Sequence, residues 1–175
     1  MTDPDLRSLI RDIPDFPSAG IMFKDITPLL LDHEAVRFAV RELADWARPR
    51  QVEYVVAAEA RGFILGAALA LELDAGFVPA RKPGKLPADT VSAEYILEYG
   101  VDALEMHADA MAHGARVLIH DDLLATGGTA RALAELVEEL GGSVVGFAFL
   151  VELGFLEGRR RLEGFDVCAL IPYED

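Results

Sequence analysis

The stretch VLIHDDLLATGGTA, residues 117–130, contains three kinds of sequence in immediate succession. An apolar run ends at two adjacent aspartates, Asp121 and Asp122, and a loop of small residues and threonines follows at 125–129. The residues after the loop have the apolar spacing of a helix, and Gly141 and Gly142 indicate where that helix ends. The stretch therefore predicts a buried strand, a loop and a helix in that order.

Other parts of the chain repeat this order of buried strand and polar turn or helix. VEYVVAA at 52–58 meets the polar turn EARG at 59–62, and GFVPA at 76–80 meets a polar loop. These apolar runs are continuous rather than alternating, which is typical of a parallel sheet covered by helices on both faces. We therefore predict an α/β fold with a central, mainly parallel sheet. Ligands bind such sheets beyond the carboxyl ends of the strands. We expect three unusual loops, at 59–62, 81–90 and 121–129, to converge there.

The remaining segments yield simpler predictions. Asp32 is a helix N-cap candidate, because apolar residues follow it at helical spacing up to Ala47. The residues around Gly100 predict a β-hairpin, and a short amphipathic helix is expected to begin at Asp3 and Pro4. The segment after Pro14, up to about residue 30, is expected to be irregular.

The overall charge excludes several classes of function. The chain has 175 residues and a formal net charge of −14, so non-specific binding to nucleic acid or to an anionic membrane is not expected. Its single cysteine, Cys168, cannot form an intrachain disulfide, which agrees with a reducing cytoplasm. The first sixteen residues lack the basic and apolar regions of a signal peptide, so a cytoplasmic protein is expected.

The loop at 125–129 has the properties of a phosphate site. Backbone N–H groups are free at the start of a helix, and the helix dipole favours negative charge there. Gly127 and Gly128 allow close approach of the backbone, and Thr126 and Thr129 add hydroxyl donors. The alternative is a plain helix-capping turn. The chain contains no Walker motif, so a nucleoside triphosphate loop is not predicted.

The two aspartates make a sugar phosphate the better interpretation. Adjacent carboxylates repel each other by roughly 1–4 kcal/mol at 4 Å, so a structural role alone does not explain the pair. Carboxylates suit vicinal hydroxyl donors and Mg²⁺, and they stabilise positive charge that develops on a sugar carbon. Acids for a diol, followed by a phosphate loop, describe a ribose 5-phosphate site.

These residues resemble the phosphoribosyl diphosphate (PRPP) motif of the type I phosphoribosyltransferase family, in the form found in adenine-specific members. Three further stretches are similar to other motifs of that family, and the four occur in the family's order between about Ile13 and Val151. DFPSAGIMFKDITPLL resembles the base-binding segment, EARGF the diphosphate loop, and RKPGKLPADTVSAEYILEYG the mobile catalytic loop. The resemblance implies a single domain, 1–175, with an N-terminal hood at about 1–30 and a lid loop at about 81–100.

The resemblance also implies a role for each matching residue. Asp121 and Asp122 would bind the ribose hydroxyls, and Glu98 would interact with N7 of the purine. The implied 5-phosphate residues are Ala125, Thr126, Gly127, Gly128 and Thr129. The implied diphosphate residues are Ala60, Arg61, Arg81, Lys82 and Lys85, with a cis peptide at the turn that contains Ala60. The implied adenine residues are Met22, Phe23, Lys24 and Leu123.

The implied reaction is adenine + PRPP ⇌ AMP + diphosphate, a step of purine salvage. Catalysis would fall to Glu98, Asp121, Asp122 and Arg61. Mg²⁺ would be the cofactor, bound mainly through PRPP rather than by protein ligands, and the family implies a homodimer. Two alternatives stay open: a phosphoribosyltransferase for a 6-oxopurine, and a non-catalytic PRPP-sensing regulator on the same fold.

Two positions depart from the family pattern. His120 stands where an aliphatic residue is usual, and we interpret it as a strand residue that is hydrogen-bonded within the fold, with a general base as the alternative. Ala57 and Ala58 precede the diphosphate loop where glycine and an aliphatic residue are more common.

Overall fold

The computed structural model describes residues 3–97 and 100–174, and a five-stranded sheet forms its centre. All neighbouring strands in this sheet are parallel, in the order β4-β3-β7-β8-β9. The strands are β3 (Tyr54–Ala58), β4 (Gly76–Ala80), β7 (Arg116–Leu124), β8 (Ser143–Leu153) and β9 (Val167–Tyr173). The predicted α/β class with a mainly parallel sheet is confirmed.

Helices cover both faces of this sheet. They are α1 (Thr27–Leu31), α2 (His33–Ala47), α3 (Gly62–Glu72) and α4 (Gly128–Glu139). Alternate residues of β7 point to opposite sides, so Val117 and Ile119 pack with α4 in one core while Leu118 packs with α2 and α3 in another. Burial on both faces explains why the strands are apolar throughout.

Two local features predicted from the sequence are found in the helices: the N-cap of α2 and the ends of α4. The Asp32 carboxylate accepts hydrogen bonds from the backbone N–H groups of Glu34 and Ala35, at 3.0 and 3.1 Å, and so caps α2 as predicted. Helix α4 begins at Gly128 and ends at Glu139, just before Gly141, whose φ of +80° is left-handed. Both ends of α4 therefore agree with the sequence.

Two antiparallel hairpins lie outside the central sheet. The predicted hairpin around Gly100 is confirmed: β5 (Thr90–Leu97) pairs with β6 (Gly100–His107). The second hairpin pairs β1 (Arg11–Pro14) with β2 (Met22–Asp25). The predicted N-terminal helix is only partly right, because the helical part of this region is a single 3₁₀ turn, Leu6–Leu9. The expectation of an irregular segment up to residue 30 is wrong at β2 and α1, because β2 pairs with β1 and α1 packs its buried Leu29 into the core.

No helix in the described residues is long and apolar enough to cross a membrane.

Candidate active site

A small cavity lies where β7 passes into α4. Its volume is about 70 Å³, and the predicted 5-phosphate residues 125–129 line it together with Asp121 and Leu123. Gly127 is the N-cap of α4 with φ +82°, a conformation that glycine adopts without strain. No side chain among the described residues caps the helix there, so its first N–H groups are available to bind an anion.

Of the acid pair, Asp121 lines this cavity, and Asp122 lies next to it in the chain. Asp122 is almost fully buried and Asp121 is partly buried, and the Asp122 backbone N–H donates to the Asp121 carboxylate at 2.9 Å. Burial, followed by the charge of Asp122, raises the pKa of Asp121. A ligand that donates hydrogen bonds or carries positive charge is favoured here, because it stabilises the ionised form.

Arg61 connects the acid pair to the N-terminal hairpin. Its Nε lies 3.0 Å from Oδ2 of Asp122, within ion-pair distance, although the geometry is not that of a hydrogen bond. The guanidinium carbon lies 4.8 Å from the centre of the Phe23 ring. Arg61, predicted for the diphosphate, thus stands between the predicted sugar residues and the predicted base residue.

A second cavity of about 230 Å³ adjoins the first. It brings together three predicted groups: the diphosphate loop, the acid pair and a lid cation. Its lining residues are Ala58, Glu59, Ala60, Arg61, Lys82, Tyr95, Leu104, Asp121, Asp122 and Thr129. Asp121 and Thr129 line both cavities, so the two spaces meet at the acid pair and the start of α4.

Two of the three predicted lid cations, Arg81 and Lys82, are paired with acids that lie elsewhere in the sequence. Arg81 donates to Glu59 at 2.8 and 3.1 Å, and the backbone N–H of Lys82 donates to the same carboxylate at 2.6 Å. The hydrogen bond from the Lys82 backbone, together with the contacts from Arg81, lowers the pKa of Glu59. Lys85 is exposed and forms no ion pair with a described residue.

The side chain of Lys82 is held by the hairpin of β5 and β6. Its ammonium group contacts the Asp102 carboxylate and lies 3.2 Å from the hydroxyl of Tyr95. Desolvation lowers the pKa of Lys82, but these two hydrogen bonds outweigh it and the net pKa is raised. The sequence did not predict Glu59, Tyr95 and Asp102 as partners of Arg81 and Lys82. The only available signal was the position of Glu59, directly after β3.

The predicted adenine residues lie on two elements. On β2, Met22 is exposed, and Phe23 is partly buried with its ring edge-on to Phe16 at 5.0 Å. The buried Lys24 ammonium lies 2.7 Å from Asp12 and 4.0 Å from the centre of the Tyr173 ring. Leu123, on β7, lines the smaller cavity.

Comparison with known proteins agrees with this geometry. The family model described as "Phosphoribosyl transferase domain" matches residues 29–164. The adenine phosphoribosyltransferase of Thermotoga maritima is 60% identical over 169 residues, which cover 97% of this chain and 98% of that protein. The chain belongs to the adenine phosphoribosyltransferase family.

Solved structures of adenine phosphoribosyltransferases share the whole fold. The enzyme of Thermoanaerobacter pseudethanolicus superimposes with a TM-score of 0.94 at 55% identity, covering 97% of this chain and 98% of that one. The Saccharomyces cerevisiae enzyme, complexed with an imino-altritol bisphosphate and adenine, gives a TM-score of 0.91 at 38% identity, covering 95% and 97%.

Two predictions drawn from the family pattern have different outcomes. The Glu59–Ala60 peptide is cis, as the likeness to adenine phosphoribosyltransferases implied, and Ala57 and Ala58 are buried at the end of β3 just before it. Glu98 lies outside the described residues, so its predicted contact with the purine stays a prediction.

His120, the other departure from the family, is fully buried in the middle of the sheet. Neither ring nitrogen forms a hydrogen bond of normal geometry with a described residue, so the expected hydrogen-bonded histidine is wrong. The reason is its small apolar surroundings: Ala57 and Ala148 lie opposite it on β3 and β8, and Gly66 faces it from α3. Burial lowers the pKa of His120 to about 4, and the nearby Ala148 backbone only partly offsets this.

This burial predicts a pH-dependent loss of stability. The ordinary histidine pKa is about 6.5, and in the folded protein the pKa of His120 is about 4. Between these values the unfolded chain binds more protons, so the free energy of unfolding decreases as pH falls, by about 3 kcal/mol at pH 4 from this residue. His120→Leu should remove this part of the pH dependence, measured by urea unfolding at about pH 7 and about pH 5.

His33→Gln is the matched control, because His33 is exposed at the start of α2 and should leave the pH dependence as it is in the wild type. Equal slopes of stability against pH in wild type and His120→Leu would contradict the assignment.

Proposed function

We propose that this chain transfers the phosphoribosyl group of PRPP to adenine, giving AMP and diphosphate, in purine salvage. One observation carries the proposal beyond the family: the two cavities meet at Asp121 and Thr129. A ribose at the acid pair would place its 5-phosphate in the small cavity and its 1-diphosphate in the larger one. The smaller group, the 5-phosphate, would thus occupy the smaller cavity of about 70 Å³, and the larger diphosphate would occupy the cavity of about 230 Å³.

The acid pair would act on the sugar. As the bond to diphosphate breaks, positive charge develops on the ribose C1 and ring oxygen, and carboxylates beneath the ring stabilise that charge. Asp121 and Asp122 would also accept hydrogen bonds from the two ribose hydroxyls. The 5-phosphate, held at 125–129, would keep C1 in position while the bonds change.

The diphosphate would be met by the cations of the larger cavity and of the lid. Ala60 and Arg61 would contact it from the diphosphate loop, and Arg81, Lys82 and Lys85 from the lid. Arg61, Arg81 and Lys82 have acid partners in the structure, so we expect them to exchange a carboxylate for diphosphate oxygens when PRPP binds. A simple anion that competes with PRPP would have to displace the same carboxylates, so we expect it to bind more weakly.

Mg²⁺ would neutralise charge on the leaving diphosphate when it is bound. The donors suit such an ion, because hard carboxylate oxygens of Asp121 and Asp122 reach the same cavity and Oδ2 of Asp122 has no hydrogen-bond partner among the described residues. We expect most of its ligands to come from PRPP, because Arg61 already partly satisfies this acid pair.

The base would stack beside Phe23 and Leu123, and backbone groups near Met22 and Lys24 would read its edge. Arg61 lies over the Phe23 ring, so adenine binding requires this side chain to turn toward the diphosphate. Adenine attacks C1 through N9, and Glu98 would hold the proton at N7. Closure of the lid would exclude water, which otherwise hydrolyses PRPP.

We further propose a cytoplasmic homodimer that acts on small molecules, without nucleic acid or a membrane as partner. Large exposed apolar side chains support a second copy, since Leu31 and Leu71 are 83% and 81% exposed. Light scattering should give twice the 19.0 kDa mass of one chain at micromolar concentration. A mass of one chain under these conditions would contradict the dimer.

The base specificity tests the proposed reaction directly. Purified protein with PRPP and Mg²⁺ should form AMP from adenine at a rate at least about a hundredfold above its rates with hypoxanthine, guanine and xanthine, because a site built for an amino group leaves polar atoms unpaired against a carbonyl. Product nucleotides are measured by chromatography. Equal or faster reaction with a 6-oxopurine would replace the adenine assignment, and nucleic-acid binding without any nucleotide product would indicate a regulator.

Asp122→Asn tests the acid pair. Removing the negative charge should lower kcat by about a hundredfold or more, because stabilisation of the developing sugar cation is lost, with little change in fold. The matched control is Asp109→Asn, an exposed acid outside both cavities. Steady-state kinetics and thermal unfolding of both variants provide the comparison, and near wild-type kcat in Asp122→Asn would exclude the role.

A further inference from the structure

None of the described residues that line the small cavity is basic. Its lining residues are Asp121, Leu123, Leu124, Ala125, Thr126, Gly127, Gly128, Thr129, Ala130 and Phe149, of which only Asp121 is charged. A phosphate monoester carries a charge of about −1.5 to −2 at neutral pH. In a chain with a formal charge of −14, the N–H groups and helix dipole would therefore hold this anion next to a carboxylate.

A segment from elsewhere in the chain packs against the back of the phosphate loop. This segment, the 3₁₀ turn Gly158–Leu162, follows β8. Gly158 approaches the loop so closely that a Cβ there would overlap the carbonyl oxygen of Ala125. The turn is therefore fixed against the backbone that forms the small cavity.

Arg161 extends from this turn to the start of α4. Its Cβ lies 3.3 Å from the point that a Cβ on Gly127 would occupy, and its Nη1 lies 3.8 Å from the corresponding point on Gly128. These two glycines line the small cavity. The guanidinium group thus lies next to Gly128, which is the first residue of α4 and lines the small cavity.

Arg161 differs from the two arginines that precede it. Arg159 donates two hydrogen bonds to the buried Glu152 at 2.6 and 2.7 Å, and Arg160 lies 2.7 Å from Glu157. Arg161 is exposed and forms no ion pair or side-chain hydrogen bond with any residue in 3–97 or 100–174. Its position beside the predicted phosphate loop, with no donor used by a described residue, favours a ligand as its partner.

We propose that Arg161 binds the 5-phosphate of PRPP and of AMP at the edge of the loop at 125–129. The proposal rests on the proposed function, since it adds a residue to the same site. Guanidinium presents paired donors that match two phosphate oxygens, and such charge-assisted bonds are about twice as strong as neutral ones. Arg161 supplies the positive charge that the lining residues lack.

The test compares Arg161→Gln with Arg160→Gln, the adjacent exposed arginine whose partner is Glu157. Isothermal titration is carried out with AMP, with ribose 5-phosphate and with adenosine. Arg161→Gln should raise the Kd for AMP and for ribose 5-phosphate about tenfold and leave the Kd for adenosine unchanged, because only the phosphate contact is lost. Arg160→Gln should bind all three probes as the wild type does, and Arg161→Lys should recover part of the affinity.

The outcomes test the phosphate contact of Arg161 and the proposed reaction separately. Wild-type affinity for AMP and ribose 5-phosphate in Arg161→Gln overturns the proposal, and so does an equal loss with adenosine, which would indicate a structural role. Absence of AMP formation by the wild type overturns the proposed reaction. Ribose 5-phosphate still tests Arg161 in that case, because this probe contains no base, and failure of the wild type to bind it overturns the phosphate contact as well.

Discussion

The register of three parallel strands determines where the site lies. Ala57 on β3 is opposite His120 on β7, and Ala58 is opposite Ala80 on β4. Strands that run in the same direction end at the same edge, so the residues that follow these pairs meet there. Those residues are Glu59 and Arg61, Arg81 and Lys82, and the acid pair. A slip of one residue in either pairing would turn these side chains to opposite faces and disperse the site.

Charge compensation is the main consequence of this convergence. Asp122, Glu59 and Asp102 pair with Arg61, Arg81 and Lys82, so these three cations do not form a free basic patch. These three pairs compensate part of the charge at the site, although Lys85 and Arg161 form no ion pair with a described residue. Binding then exchanges partners instead of creating new pairs, so selectivity depends on a ligand that satisfies both the cations and the released acids.

The sequence was sufficient for several features that depend on neighbours along the chain, although it missed the short helix α1. Strand β7, its loop and helix α4 follow from an apolar run, two glycines and helical spacing, and the Asp32 cap follows from the next apolar turn. The partners of the lid cations were not predictable, because Asp102 and Glu59 reach them only through the hairpin and the sheet. Arg161 was missed for the same reason: 32 positions separate it from Thr129, and only the folded 3₁₀ turn brings it to the loop.

The end of β7 concentrates three ionisable residues that each lower stability. His120 is buried without a normal hydrogen bond, and Asp121 and Asp122 repel each other while Asp122 is almost fully buried. In the proposed complex, the hydroxyls of a sugar phosphate would donate to both carboxylates and relieve the acid pair, but the ligand would not reach the buried His120. The cost of the acids would then be recovered on binding. The cost of His120 is not recovered, so an apolar residue at that position should stabilise the fold without changing what the site binds.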